Sequence, residues 1–297
     1  MRSLRLSSLA LTAALAMTMT ACGGDDGDDE VAAPPVDTAP EFAAGSRMAE
    51  LAEAGKITVG TKFDQPLFGL KGLSGEPEGF DVEIAKIIAG KLGIAEDDIT
   101  FVESVSANRE PFLEQKRVDM VVATYTINDK RDMVVDFAGP YFQAGQDILV
   151  AKGNPKGIDG PESLKGKKTC SVAGSTPAET LQTEYGLTTA DLQLVDVYTK
   201  CRDALANGQV DAVSTDNVIL SGYVDAAPDD FELVGKPFTE EPYGIGIPEG
   251  QEDFCDFINE TLAESVQDGS FEEAFKATAG KVIDTVPTLP APRGCDK

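Results

Sequence analysis

The chain has no histidine, and its 25 lysines and arginines are outnumbered by 51 aspartates and glutamates. Without histidine there is no Ser-His-Asp triad and no imidazole metal ligand. The five cysteines contain no Cys-x-x-Cys spacing, so a thiolate metal cluster has no local signature. Phosphate loops fail on inspection. Gly244–Gly250 has one residue too many for G-x-G-x-x-G, and Gly160–Lys168 has no Ser or Thr directly after its first lysine. A net charge of −26 argues against nucleic acid and against polybasic membrane docking. Screening over ~8 Å still leaves room for a local cationic pocket. No internal repeat is present, and beyond residue 22 no segment is apolar enough to span a membrane. No motif calls for a metal, a cofactor or an enzyme.

What is present begins with an address. Arg2 and Arg5 precede an apolar stretch, Leu9–Met19, that is too short to span and stay in a membrane. Met19-Thr20-Ala21-Cys22 then resembles the end of a bacterial lipoprotein signal, with Cys22 as the lipidated first residue of the mature chain. Residues 1–22 are therefore expected to form a lipoprotein signal that ends at the lipobox cysteine and is cleaved before Cys22. The protein should be extracytoplasmic, held by a lipid on Cys22 to the outer face of the cytoplasmic membrane. Residues 23–46 carry seven acidic residues, three prolines and no cation, so a disordered tether spanning roughly 25–30 Å is expected. The remaining Cys170, Cys201, Cys255 and Cys295 are an even set in an oxidising compartment. Three pairings are possible. Cys170–Cys201, joining a strand to a nearby helix, and Cys255–Cys295, pinning the C-terminal tail, are preferred.

Between residues 47 and 285, short β-branched runs alternate with helical stretches. Strands are expected at Lys56–Thr61, Ile99–Glu103, Met120–Tyr125, Lys168–Ala173, Gln193–Val197 and Val210–Ser214, with helices such as Phe80–Leu92, Glu110–Arg117, Thr176–Tyr185 and Lys200–Asn207 between them. This alternation implies an α/β fold of two mainly parallel lobes. Residues 47–145 and 242–285 form lobe 1, 146–241 form lobe 2, and 286–297 are a tail. Crossing strands are expected near Gln143–Asp147 and Pro237–Glu241. A monomer is expected.

The strand Met120–Tyr125 ends in Thr124-Tyr125-Thr126, and Arg131 follows after a turn that can open a helix. Thr124 and Thr126 share a face of the strand. Two hydroxyls under a guanidinium suit one carboxylate.

Gly79-Phe80-Asp81-Val82-Glu83-Ile84-Ala85 resembles the signature of the polar-amino-acid family of solute-binding proteins that feed ABC importers. Gly174-Ser175-Thr176, Thr215-Asp216 and Glu241-Pro242-Tyr243-Gly244-Ile245 follow in the family's order. The resemblance spans about residues 56–277. It implies the type II periplasmic-binding fold, two lobes on two hinge strands closing over one amino acid, with permease subunits as partner. By the same resemblance, Arg131 and Thr126 would hold the α-carboxylate, and Thr176 would assist from lobe 2. Thr124 and Asp216 would take the α-ammonium. Asp216 can also serve as the N-cap of a following helix, and the two roles can coexist. Lys62 and Arg109 match positions that are basic in members binding glutamate and aspartate, and Tyr198 faces the same end. Ser106 and Ser175 complete the candidate set. Pro177 stands where many relatives have a polar residue. Phe63 and Phe68 either wall the ligand's methylenes or pack in the core. The expected ligand is L-glutamate, with L-aspartate beside it; the alternatives are a glutamine- or asparagine-binding receptor, or an amino-acid sensor domain signalling to a membrane partner.

Overall fold

A computed structural model describes residues 33–73 and 75–295 of the chain. Residues 1–32 with Cys22, and so the signal segment and the first part of the expected tether, lie outside the described residues. The chain runs through α1 (Arg47–Ala54), β1 (Ile57–Thr61), three short strands β2 (Asp64–Gln65), β3 (Gly69–Lys71) and β4 (Pro77–Glu78), and α2 (Phe80–Lys91). Next come β5 (Ile99–Glu103), α3 (Arg109–Glu114), β6 (Met120–Thr126), α4 (Asp129–Asp132) and β7 (Asp136–Ala144). A second set follows: β8 (Gln146–Ala151), β9 (Thr169–Val172), α5 (Thr176–Thr183), β10 (Leu192–Val195), α6 (Tyr198–Ala206), β11 (Ala212–Asp216), α7 (Asn217–Ala226) and β12 (Phe231–Leu233). Then β13 (Glu241–Ile247), α8 (Glu252–Asp268) and α9 (Ser270–Ala277) return to the first set.

Two five-stranded sheets result, ordered β5-β1-β6-β13-β7 and β10-β9-β11-β8-β12. Each has a parallel trio joined by helices, as the alternating pattern implies. In each, one strand runs against both of its neighbours, β13 in the first and β8 in the second. Both arrive from the other lobe and so enter their sheet from the opposite end. The chain crosses at Gly145 and returns before Glu241, which already pairs with Ala144. The long strand β7 was not anticipated, because Gly139 and Pro140 interrupt its pattern. It is the edge of its sheet, where a residue without an N–H is tolerated. The small sheet β2-β3-β4 was also missed; two- and three-residue strands leave no periodicity to read.

In lobe 1 the strands β1 and β6 are almost wholly buried, and Val59, Met120, Val122 and, on α2, Ile84 are inaccessible to solvent. Each such side chain contributes roughly 1.5–3 kcal/mol by leaving water. An aromatic cluster binds this core to the hinge. Phe68 lies edge-on to Phe80, Phe142 and Tyr243, and Phe142 stacks on Tyr243 with centroids 5.8 Å apart. Phe68 is thus core. Both preferred disulfides, Cys170–Cys201 and Cys255–Cys295, are formed.

Within the expected tether, residues described from 33 onward make contacts with the folded part. The Asp37 N–H donates to Gly90 O at 2.9 Å, Phe42 packs edge-on against Phe257, and Ser46 Oγ caps α1 by accepting from Ala49 N. Gly90 makes this possible, since a Cβ there would meet Pro35 O at 2.7 Å. A segment too polar to build its own core lies along the outside of α2 and α8 instead.

Candidate functional site

The carboxyl ends of β6 and β11 face one another across the gap between the lobes, where ligands of open α/β sheets sit. A cleft of about 210 Å³ lies there. From lobe 1 its walls include Ser106, Arg109, Thr124 and Thr126. Lobe 2 supplies Ser175, Thr176, Tyr198 and Asp216. Eight of the ten expected binding residues are therefore brought together, with Lys62 and Arg131 directly behind them.

The backbone of β6 is bent to make this wall. Thr124 has φ +43°, a left-handed conformation that costs a residue with a Cβ about 1–2 kcal/mol. Asp81, at the start of α2, holds it there. Asp81 Oδ2 accepts from Thr124 N at 2.8 Å and Oδ1 accepts from the Tyr141 hydroxyl at 2.6 Å. Burial raises the Asp81 pKa to about 7 in spite of these donors. The Thr124 hydroxyl lies 2.9 Å from Ala123 O and 3.0 Å from Gln65 Oε1.

Arg131 is delivered by α4, whose N-cap Asn128 accepts from the Arg131 N–H. Its guanidinium ties the lobes together. One NH group donates to Thr126 O at 2.6 Å, the other to Gly174 O of lobe 2 at 3.1 Å, and Nε pairs with Glu110 at 3.1 Å. A guanidinium has five N–H groups, so two remain. Arg109 lies over the Tyr125 ring at 4.2 Å and donates to the carbonyls of Ser106, Ala123 and Thr124. Its second NH group is left for the cleft.

Lys62 is 3% exposed, and its Nζ donates to Ser106 Oγ at 2.8 Å. Burial, and then the neighbouring Arg109 charge, bring its pKa down to about 7, against the pull of Asp64. Asp216 occupies the N-cap position of α7 yet makes no capping bond. Its Oδ2 accepts from the Tyr243 hydroxyl at 2.6 Å, while the buried Oδ1 has no partner. Burial first, and Glu241 second, raise its pKa to about 8.

Sequence reasoning missed Gln65, Thr215 and Ile219 in the wall, and it gave Glu241 no task. Gln65 lies on a two-residue strand with no pattern to mark it. Glu241 stood in a quoted motif, and its contacts with Thr126 and Thr176 span 115 and 65 residues. In sum the cleft offers donors from Lys62, Ser106 and Arg109 at one end and an unpartnered carboxylate oxygen at the other. That is a surface for holding a charged small molecule.

The family model of bacterial extracellular solute-binding proteins, family 3, matches residues 57–280. The chain is 38% identical to the ABC transporter glutamine-binding protein GlnH of Bacillus subtilis, over 92% of this chain and 96% of that one. It is 36% identical to the glutamate-binding protein GluB of Corynebacterium glutamicum, over 92% and 89%. Among solved structures, the solute receptor for L-cysteine of Neisseria gonorrhoeae superposes with a TM-score of 0.74 at 29% identity, covering 79% of this chain and 94% of that one. An ancestral arginine-binding protein bound to glutamine gives 0.69 at 36% identity, covering 75% and 96%.

Proposed function

Because this chain belongs to the bacterial extracellular solute-binding proteins, family 3, we propose that it captures one acidic amino acid, L-glutamate and also L-aspartate, by lobe closure. It then delivers this ligand to the permease of a membrane ABC importer, from a position held by the lipid on Cys22. The glutamine-binding and glutamate-binding relatives support the amino-acid class. The observation that carries the acidic assignment is the Lys62–Ser106–Arg109 end. Lys62 donates to Ser106 Oγ, so the Ser106 proton is free to point into the cleft beside the spare NH group of Arg109. In this reading the two remaining N–H groups of Arg131 take the α-carboxylate, and Asp216 with Thr124 takes the α-ammonium. Lys62, Ser106, Arg109 and Tyr198 face the distal carboxylate, and Ser175 fixes the turn that carries Thr176. The ligand is released unchanged.

A glutamine receptor is the second reading. It is favoured by the carbonyls that already occupy part of Arg109 and by the depressed Lys62 charge, both of which soften the demand for an anion. Calorimetric titration with the common amino acids separates the two. Glutamate is expected to bind at least about tenfold tighter than glutamine, a gap of ~1.4 kcal/mol. Arg109→Ala is expected to remove most of that preference, and Arg131→Ala to weaken both ligands together. A wild-type preference for glutamine sinks the acidic assignment. Turnover of a prephenate-like acid would sink the receptor reading itself.

A further inference from the structure

Glu241 is 2% exposed and lies where the chain re-enters lobe 1. Its Oε2 accepts from the Thr126 hydroxyl of lobe 1 and the Thr176 hydroxyl of lobe 2, both at 2.7 Å. Its Oε1 accepts from the Thr239 hydroxyl at 2.8 Å. The two cleft threonines are 3.3 Å from each other, a longer contact than either makes with the carboxylate. A carboxylate only accepts, whereas a hydroxyl has one proton and two lone pairs. Thr126 and Thr176 therefore spend their protons on Glu241 and can present only lone pairs to the cleft.

We infer that Glu241 is a positioning residue for the ligand's ammonium. By drawing the protons of Thr126 and Thr176 away from the cleft, it makes both hydroxyls acceptors beside Asp216. The inference rests on the amino-acid reading above and reverses the expected use of these two hydroxyls for the α-carboxylate.

A second observation points to the same end of the cleft. Asp216 lines the cavity; its buried Oδ1 has no partner, while Oδ2 is already taken by Tyr243. An unpaired buried carboxylate oxygen is costly, and a cation removes that cost. The ammonium, with three donors, matches one oxygen of Asp216 and the lone pairs of two threonines. Ser106 supplies the contrast. Its neighbour Lys62 is a donor, so its proton stays free for an anion. Hydroxyl groups of similar type thus take opposite polarity at the two ends, and the charged residue behind each one sets it. The hinge position of Glu241 adds a condition. Thr126 and Thr176 come from different lobes, so this acceptor pair exists only when the lobes are closed.

Glu241→Gln tests this without changing the shape of the side chain. The amide donates to one of the threonines and turns that hydroxyl's proton into the cleft, and it removes the charge near Asp216. Ligand-induced shifts of the melting temperature, at concentrations up to tens of millimolar, report binding of L-glutamate and L-glutamine. The same assay is run with the analogues of each that lack the amino group, glutarate and 4-carbamoylbutanoate. The variant is expected to bind the amino acid at least about tenfold more weakly and the analogue less than about threefold more weakly. Equal losses for both would mean a structural role only, and no loss would mean no role; either result overturns the inference. If Glu241→Gln does not fold, Thr176→Val gives the same reading, with a selective loss of the amino acid expected and an equal loss overturning it. A wild type that binds no amino acid overturns the receptor reading and this inference together. Amino-acid binding with an unselective loss overturns this inference alone.

Discussion

Gly222 lies inside α7 of lobe 2, and a Cβ there would meet Pro66 of lobe 1 at 2.7 Å from its carbonyl oxygen and 3.0 Å from its Cβ. A carbonyl oxygen on backbone cannot step aside as a side-chain tip can. Gly222→Ala therefore acts with opposite signs on two measurable quantities. Within the helix, alanine loses less backbone entropy than glycine and favours the folded lobe by ~0.5–1 kcal/mol. At ~2–4 °C per kcal/mol for a chain of this size, the unliganded melting temperature should rise by about 1–4 °C. Between the lobes, the added methyl overpacks the closed state by ~1–3 kcal/mol. Because the ligand is held only when the lobes meet, its Kd should rise about 5- to 150-fold. Calorimetry with whichever amino acid binds wild type, paired with unliganded melting, reads both terms from the same preparation. A stabilised variant with unchanged affinity would show that the lobes do not approach this closely around the ligand. Loss of both stability and affinity would mean that the methyl damages lobe 2 itself. Gly174 makes a similar close approach, 2.7 Å to Ala107 Cα. It is the poorer probe, because its φ of +78° makes alanine costly in open and closed states alike.

Two further outcomes concern stability. Burial raises the Asp81 pKa from 3.8 to about 7, so the native state keeps a proton that the unfolded chain releases above about pH 4. Its contribution to stability is thus undiminished below about pH 4 and falls as the pH rises to about 7. Asp81→Asn lacks that titration, so the stability of wild type relative to the variant should fall through this window by on the order of a few kcal/mol. Parallel melting curves from pH 4 to 7 would contradict it. Replacing Cys255 and Cys295 together by serine opens a link of sequence separation 40, worth at most ~3–4 kcal/mol in the chain-entropy model. Melting should drop by several degrees while ligand affinity stays within about twofold, and a larger loss of affinity would show that the tail bears on the cleft.

The parts of this fold legible in the sequence share one property: each is decided by neighbours close along the chain. The runs Ile57–Thr61, Ile99–Glu103 and Met120–Thr126 announce themselves because nearly all their residues are apolar or β-branched together. Asp216 was readable because a strand ends there and a helix begins. The strand Asp136–Ala144 was not readable, since Pro140 forbids an interior strand and only its place at the sheet edge, set by β13, permits it. The packed course of residues 33–46 was hidden for the same reason. Its composition is that of a disordered segment, and what holds it is a surface made by α2 and α8, with Gly90 leaving the space.

The site shows the same division more sharply. Arg131, Thr124 and Thr126 could be grouped because the outer two are only seven positions apart, but the direction in which a hydroxyl donates is set by whatever stands behind it. For Thr126 that is Glu241, and for Ser106 it is Lys62, 44 residues away. Residue types at a strand end establish that a small charged ligand can be held. The residues behind them, distant in sequence, decide which end of the ligand goes where. Substitutions at Lys62 and Glu241 should therefore change what the cleft selects, whereas substitutions at Gly174 and Gly222 should change how firmly it closes on any ligand.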